Sequence, residues 1–199
     1  MSYKFYLEMV RAGLYAEFWE QEAKHGLVAF MDPTVYGRSP LEASSFLASS
    51  ALPDETLHGT GFVSRLSGST AEFLSLFLEV FVGHEGPFRL KPTDGKTLQF
   101  VLQPALPAWM FTPTTDLGGS EFDAILTFTL LGKIPVTYHN PNLVNTWSDG
   151  VMVRKMTYHL QEANTMKEFT VEIMSSVAEG YNAQLVRSGL VKKIDVYLA

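Results

Sequence analysis

Apolar residues between Lys4 and His25 recur at helical spacing: Phe5, Leu7, Met9, Val10, Leu14, Tyr15, Phe18 and Trp19, with Gly26 as a stop. This predicts one helix. The stretch from Asp32 to Gly61 has no such period and is punctuated by Asp-Pro, Tyr-Gly-Arg-Ser-Pro, Leu-Pro-Asp-Glu and His-Gly-Thr-Gly, so a long loop is expected there. A second helix is predicted from Ser69 to Gly83, opened by a Ser69–Glu72 capping box. Its apolar positions, from Phe73 to Phe81, run nearly all the way round, so most of its surface must be covered. After Gly86-Pro87 the period changes to that of strands. These are expected at Leu98–Leu102, Trp109–Phe111, Phe122–Leu131, Ile134–His139, Val151–Leu160, Lys167–Ile173 and Val191–Leu198, with a loop or short helix at Ser176–Gly189.

Composition narrows the function classes. The chain has 199 residues, 46% of them hydrophobic, enough for a sizeable core in one domain or two small ones. A net charge of −6 with scattered Lys and Arg argues against a nucleic-acid partner. The sequence has no cysteine, which removes disulfides, thiol nucleophiles and thiolate metal sites. The N-terminal residues lack a leader pattern and no apolar run reaches spanning length, so no membrane association and a cytoplasmic location are expected.

Candidate chemistry is concentrated between residues 38 and 72. In Ser67-Gly68-Ser69-Thr70 a small-residue turn runs into a helix, bringing free backbone N–H groups and the positive end of the helix dipole to one point, with Arg65 close by as a charge partner. A Ser-Gly-Ser sequence in this position is more often a plain N-cap, and alone it identifies no function. Upstream, Gly59 and Gly61 flank Thr60 beside His58, and glycines permit close approach of the backbone to a ligand. Glu42 and Arg38 are the charged candidates of the same loop. The histidines have no metal-ligand spacing, so no metal site is expected.

Taken in order, five segments resemble one family: Tyr36-Gly37-Arg38, Leu41 to Phe46, Ser49 to Asp54, Leu57 to Phe62 and Arg65 to Glu72. They are similar to the final part of the catalytic barrel in inverting glycoside phosphorylases acting on cellobiose, laminaribiose and β-glucans. Leu102 to Pro107 and Phe128 to Pro141 resemble the β region that closes such enzymes. The resemblance implies an α+β chain: residues 1–86 would be the last helices and loops of an α/α six-hairpin barrel, and residues 87–199 a small antiparallel β-sandwich-like domain. It assigns phosphate binding to Ser67 and Gly68, joined through proximity by Arg65 and His58, and places Glu42 and Arg38 at the substrate. Ser49 stands where cellobiose-type relatives carry a His, which suggests a β-1,3-glucan subgroup.

In this family phosphate attacks the anomeric carbon while an acid protonates the departing oxygen, giving an inverted sugar 1-phosphate. The general acid is an Asp from an earlier barrel region, so the resemblance assigns no catalytic residue to this chain and expects it to be inactive alone. The implied partners are a β-glucoside or β-glucan oligosaccharide and inorganic phosphate, which is a substrate; no cofactor is implied, and the full-length enzyme would be a homodimer. Two alternatives stay open: a non-catalytic carbohydrate-binding module, suggested by Trp109 and Trp147, and a glycoside hydrolase of the same barrel architecture.

Overall fold

The chain divides between Val80 and Phe81 into two units, 1–80 and 81–199. The computed structural model describes residues 2–27, 29–39, 42, 44, 46–63, 67–114, 123–162 and 167–199. The fold is α+β, and none of the sheets among the described residues closes into a barrel. No helix among the described residues is long and apolar enough to cross a membrane.

The first unit begins with α1 (Ser2–Arg11). The single helix expected from Lys4 to His25 is broken at Gly13, whose φ of 77° lies outside the right-handed helical region. The chain then resumes through α2 (Tyr15–Glu17), a π-helical turn at Phe18–Glu22 and α3 (Ala23–Gly26). The wide turn buries Phe18 and Trp19 together, their rings meeting edge-on at 4.9 Å. Aromatic contacts link Trp19 to Phe30, Phe30 to Phe77, Phe77 to Phe73 and Phe73 to Tyr3. Between them run α4 (Pro33–Tyr36), the short strands β1 (Phe46–Leu47) and β2 (Gly61–Phe62), and a 3-10 turn at Glu55–Leu57. The helix α5 (Ser67–Phe81) buries Leu76 and Val80 but leaves Leu74 and Leu78 exposed, so its apolar surface is covered only in part.

The second unit is built from period-2 alternation. Its six-stranded sheet has the order β5-β6-β7-β11-β8-β9. The strands are β5 (Thr112–Thr114), β6 (Asp123–Leu130), β7 (Ile134–His139), β8 (Val153–Gln161), β9 (Glu168–Ile173) and β11 (Val191–Leu198). Hairpins β6–β7 and β8–β9 are antiparallel, and β11 joins them by pairing parallel to β7 and antiparallel to β8. That parallel pair departs from the all-antiparallel expectation. A three-stranded sheet of β3 (Phe88–Leu90), β4 (Leu98–Val101) and β10 (Val177–Glu179) meets the first sheet through Phe100 and Tyr158. The segment expected as loop or short helix supplies both β10 and α6 (Tyr181–Arg187). The strand expected at Trp109–Phe111 is instead a 3-10 turn, Ala108–Met110, held at its start by the Asn145 side chain accepting from the Ala108 N–H at 2.8 Å.

Two buried tyrosines in this unit have opposite circumstances. Tyr138 donates at 2.7 Å to the carbonyl of Phe81, a helix-terminal group that has no acceptor role left inside α5. The Tyr158 hydroxyl finds no hydrogen-bond partner among the described residues. Burial pushes both phenols above their ordinary pKa. Tyr138→Phe is expected to cost about 0.5–1.5 kcal/mol because it removes a hydrogen bond to a part-buried carbonyl, whereas Tyr158→Phe removes an unpaired polar atom and should be neutral or stabilising. Urea midpoints of the two variants should therefore move in different directions or by clearly different amounts.

Candidate functional site

The expected phosphate turn is the first turn of α5. Ser67 and Gly68 are themselves helical rather than forming a turn ahead of the helix. Ser69 therefore lies inside the helix, which overturns the capping box: a cap residue takes non-helical backbone angles, and Ser69 does not. Glu72 instead faces Lys4, with Nζ 3.8 Å from its carboxylate. The N–H groups of Ser67, Gly68 and Ser69 have no acceptor within the helix and share the positive end of its dipole. Arg65 lies outside the described residues.

The loop preceding α5 is organised around Tyr36. This ring is fully buried, its hydroxyl lies 2.8 Å from Ser44 Oγ, and it accepts from the Ser44 N–H at 3.0 Å. Gly61 has room for no side chain: a Cβ there would stand 2.4 Å from the Tyr36 ring and 2.8 Å from Ser44 Oγ. A Cβ on Gly59 would stand 2.7 Å from Val35 Cγ1. The close approach expected of these glycines towards a ligand is thus an approach towards the chain's own Tyr36 and Val35.

The charged candidates of the loop are also engaged. Arg38 Nε donates to Glu42 at 2.6 Å, both side chains being partly exposed. His58 Nε2 lies 2.8 Å from the Leu52 carbonyl and is the donor, since a carbonyl only accepts. Its Nδ1 then offers a donor to an anion only when the ring is an imidazolium. Beside His58 lies an open groove of about 560 Å³, lined by Leu47, Leu52, Leu57 and Phe62 among others. Asp32 and Asp54 are caps: each accepts from the backbone and hydroxyl of a Thr two positions on, Thr34 and Thr56. Those bonds hold both carboxyls below the usual carboxylate range, the opposite of what a general acid needs.

The second unit carries a cluster that the sequence reading passed over. His139 on β7 stands between two carboxylates, Nδ1 at 2.6 Å from Asp123 and Nε2 at 3.3 Å from Asp195. His159 on β8 and Lys193 on β11 reach the same Asp195 at 2.7 and 2.8 Å. These residues are remote in sequence and meet because β7, β11 and β8 are neighbours. The available signal was Asp195 itself, a charge inside the run Ile194-Asp-Val196. Tyr197 is filled on both sides: it pairs across the sheet with His139, stacked at 4.5 Å, and with Lys155, whose Nζ is 4.5 Å from the ring centre. Its faces are therefore not open as a sugar platform. No group of three or more His, Asp or Glu among the described residues is placed to hold a metal ion. A smaller cleft of about 260 Å³ lies by His84 and Gln103, where Arg89 is already bound to Glu85 and to Gln99.

Two outcomes follow from these geometries. Gly61→Ala must push the Tyr36 ring off Ser44 and is expected to cost about 1–3 kcal/mol, and Tyr36→Phe a similar amount by stranding the Ser44 N–H; hydrogen exchange at the Ser44 amide should accelerate in both. Burial alone would raise the Asp195 carboxyl, but bonds from Lys193, His139 and His159 outweigh it and set it below the ordinary range. A carboxyl lowered by folding stabilises the native state above its unfolded pKa and loses that contribution as pH falls. The Tm gap between the native chain and Asp195→Asn should therefore be widest near neutrality and close below about pH 4. Comparison with family models, curated proteins and solved structures found no match to this chain.

Proposed function

We propose that the chain is the C-terminal part of an inverting glycoside phosphorylase that cleaves β-glucosides or β-glucans with inorganic phosphate. The observation that carries this reading is the start of α5: the ordered motif series ends where Ser67-Gly68-Ser69 presents first-turn N–H groups lacking intrahelical acceptors. Phosphate sits at these amides, with Arg65 supplying charge. His58 joins through Nδ1, since its Nε2 is taken by the Leu52 carbonyl. Arg38 and Glu42, paired to each other, border the sugar subsite, and the apolar groove beside Phe62 gives a glucose ring a face to pack on.

The reaction needs an acid to protonate the leaving oxygen. Asp32 and Asp54 are held ionised by their capping bonds, so neither fills that role. The acid belongs to the earlier part of the barrel, and the chain by itself binds without turning over. An anion at the Ser67-Gly68 helix start is what separates this reading from a hydrolase of the same architecture, in which the same amides would carry none.

Titrating phosphate into the isolated chain is expected to shift the amide resonances of Ser67, Gly68 and Ser69 and to slow their hydrogen exchange, with Gly68→Val abolishing both effects. No response at these amides in millimolar phosphate would sink the phosphate site. Formation of sugar 1-phosphate by the isolated chain would refute the assignment of the acid to another part of the enzyme.

A further inference from the structure

The cleft by His84 and Gln103 is framed by β3, β4 and the loop of residues 83–86. That loop is closed by the Gly86 N–H, which donates to the Gly83 carbonyl at 3.0 Å, and is tied to the chain leaving β4 by the Gln103 N–H, which donates to the Val82 carbonyl at 2.7 Å. Arg89 lines the cleft from β3. Its cross-strand partner Gln99 is buried, accepts from Arg89 Nε at 3.0 Å and donates to Glu179 on β10 at 2.6 Å, and Glu179 takes a further bond from Lys91 at 2.8 Å. The guanidinium is thus held in place before any ligand arrives, so little side-chain freedom is lost on binding. Two of its five N–H groups go to Gln99 and Glu85, and the others have no partner among the described residues. Gln103 is exposed, and its side-chain amide makes no hydrogen bond among the described residues.

We propose that this cleft binds one neutral sugar ring. Arg89 and Glu85 stand side by side as an ion pair, so an incoming anion meets the carboxylate and an incoming cation the guanidinium. What the cleft offers instead is a mixture of donors and acceptors: the remaining N–H groups of Arg89, the amide of Gln103 and the carboxylate of Glu85. A hydroxyl both accepts and donates, and a vicinal pair matches the spacing of a guanidinium fork. Buried Val82 and Val101 supply an apolar wall for the C–H face of the ring. No Phe, Tyr or Trp lines the cleft, so a nucleobase has no broad ring to stack on. Its volume of about 260 Å³ lies below the roughly 300 Å³ at which sites for drug-sized molecules begin, which suits a single ring rather than a longer ligand. Every lining residue belongs to the second unit and none was assigned to phosphate or substrate, so the inference stands apart from the phosphorylase reading.

Titrating glucose into the full chain is expected to shift the amide resonances of residues 83–86 and 101–103 and to saturate in the millimolar range. Gln103→Ala and Arg89→Lys, which keeps the charge but loses the fork, should each weaken that binding at least about fivefold. Gln103 has no side-chain partner to lose, so its variant keeps the fold even where the Arg89 variant does not. Gly68→Val, which removes the proposed phosphate site, should leave this glucose response unchanged, so the two readings stand or fall separately. No shift at these amides in glucose up to about 100 mM would overturn the proposal, as would a shift that Gln103→Ala leaves unchanged. Displacement of glucose from the cleft by equimolar inorganic phosphate would overturn it too, since a site for a neutral ring does not prefer an anion.

Discussion

The second unit depends on where β11 sits. Two hairpins, β6–β7 and β8–β9, are each local in sequence, and among the described strands only β11 joins them, filling the gap between β7 and β8. Its alternation is strict where it matters: Ile194, Val196 and Leu198 are buried, while Asp195 and Tyr197 belong to the opposite face. A one-residue slip would drive Asp195 into the apolar side and release its contacts with His139 and His159, while Lys193, on the same strand, moves with it. The hydrogen-bonded cluster is therefore a register lock as well as the setting of the Lys193–Asp195 ion pair. Its parts come from β6, β7, β8 and β11: the Asp123–His139 bond needs only the β6–β7 hairpin, while the two histidine bonds to Asp195 form only once β11 sits between β7 and β8.

How much of this was legible in the sequence differs between the units. Strands at Ile134–His139 and Val191–Leu198 were readable to the residue because alternation and flanking turns agreed. The parallel sense of β11 against β7 was not, since alternation fixes which face a residue occupies and says nothing of the neighbour's direction. The break at Gly13 escaped because apolar spacing continues through it; the π-helical turn at Phe18–Glu22 adds a residue to one turn and keeps Phe18 and Trp19 inside. The capping box failed for a related reason. Ser-x-x-Glu has the right spacing for a cap anywhere in a first turn, and only backbone angles decide whether the helix has already begun.

The candidate site was legible as a set of segments but not as a set of roles. Glycines at 59 and 61 read as openings for a ligand because a missing side chain leaves space, and sequence cannot say what fills it. In the structure Val35 and Tyr36 do. Arg38 and Glu42 read as two free charges, and four-residue spacing lets them meet each other. The His–Asp cluster was missed because its members are joined by strand order alone, a property with no local signature.

What the self-contacts leave over is informative about any ligand of the first unit. The ring of Tyr36, both loop glycines, the Arg38 guanidinium and His58 Nε2 all have work within the chain. An anion approaching this loop would find carboxylates at Asp32 and Asp54 that are already ionised and turned to their own caps. In a chain of net charge −6 no general attraction assists it. Among the described residues, the attractive groups remaining are His58 Nδ1 and the backbone amides at the start of α5, and the amides carry only partial charge and act strongly only where water is excluded. A phosphate held there would thus depend on whatever closes over the helix start, and its binding energy would report that enclosure more than the Ser-Gly sequence itself.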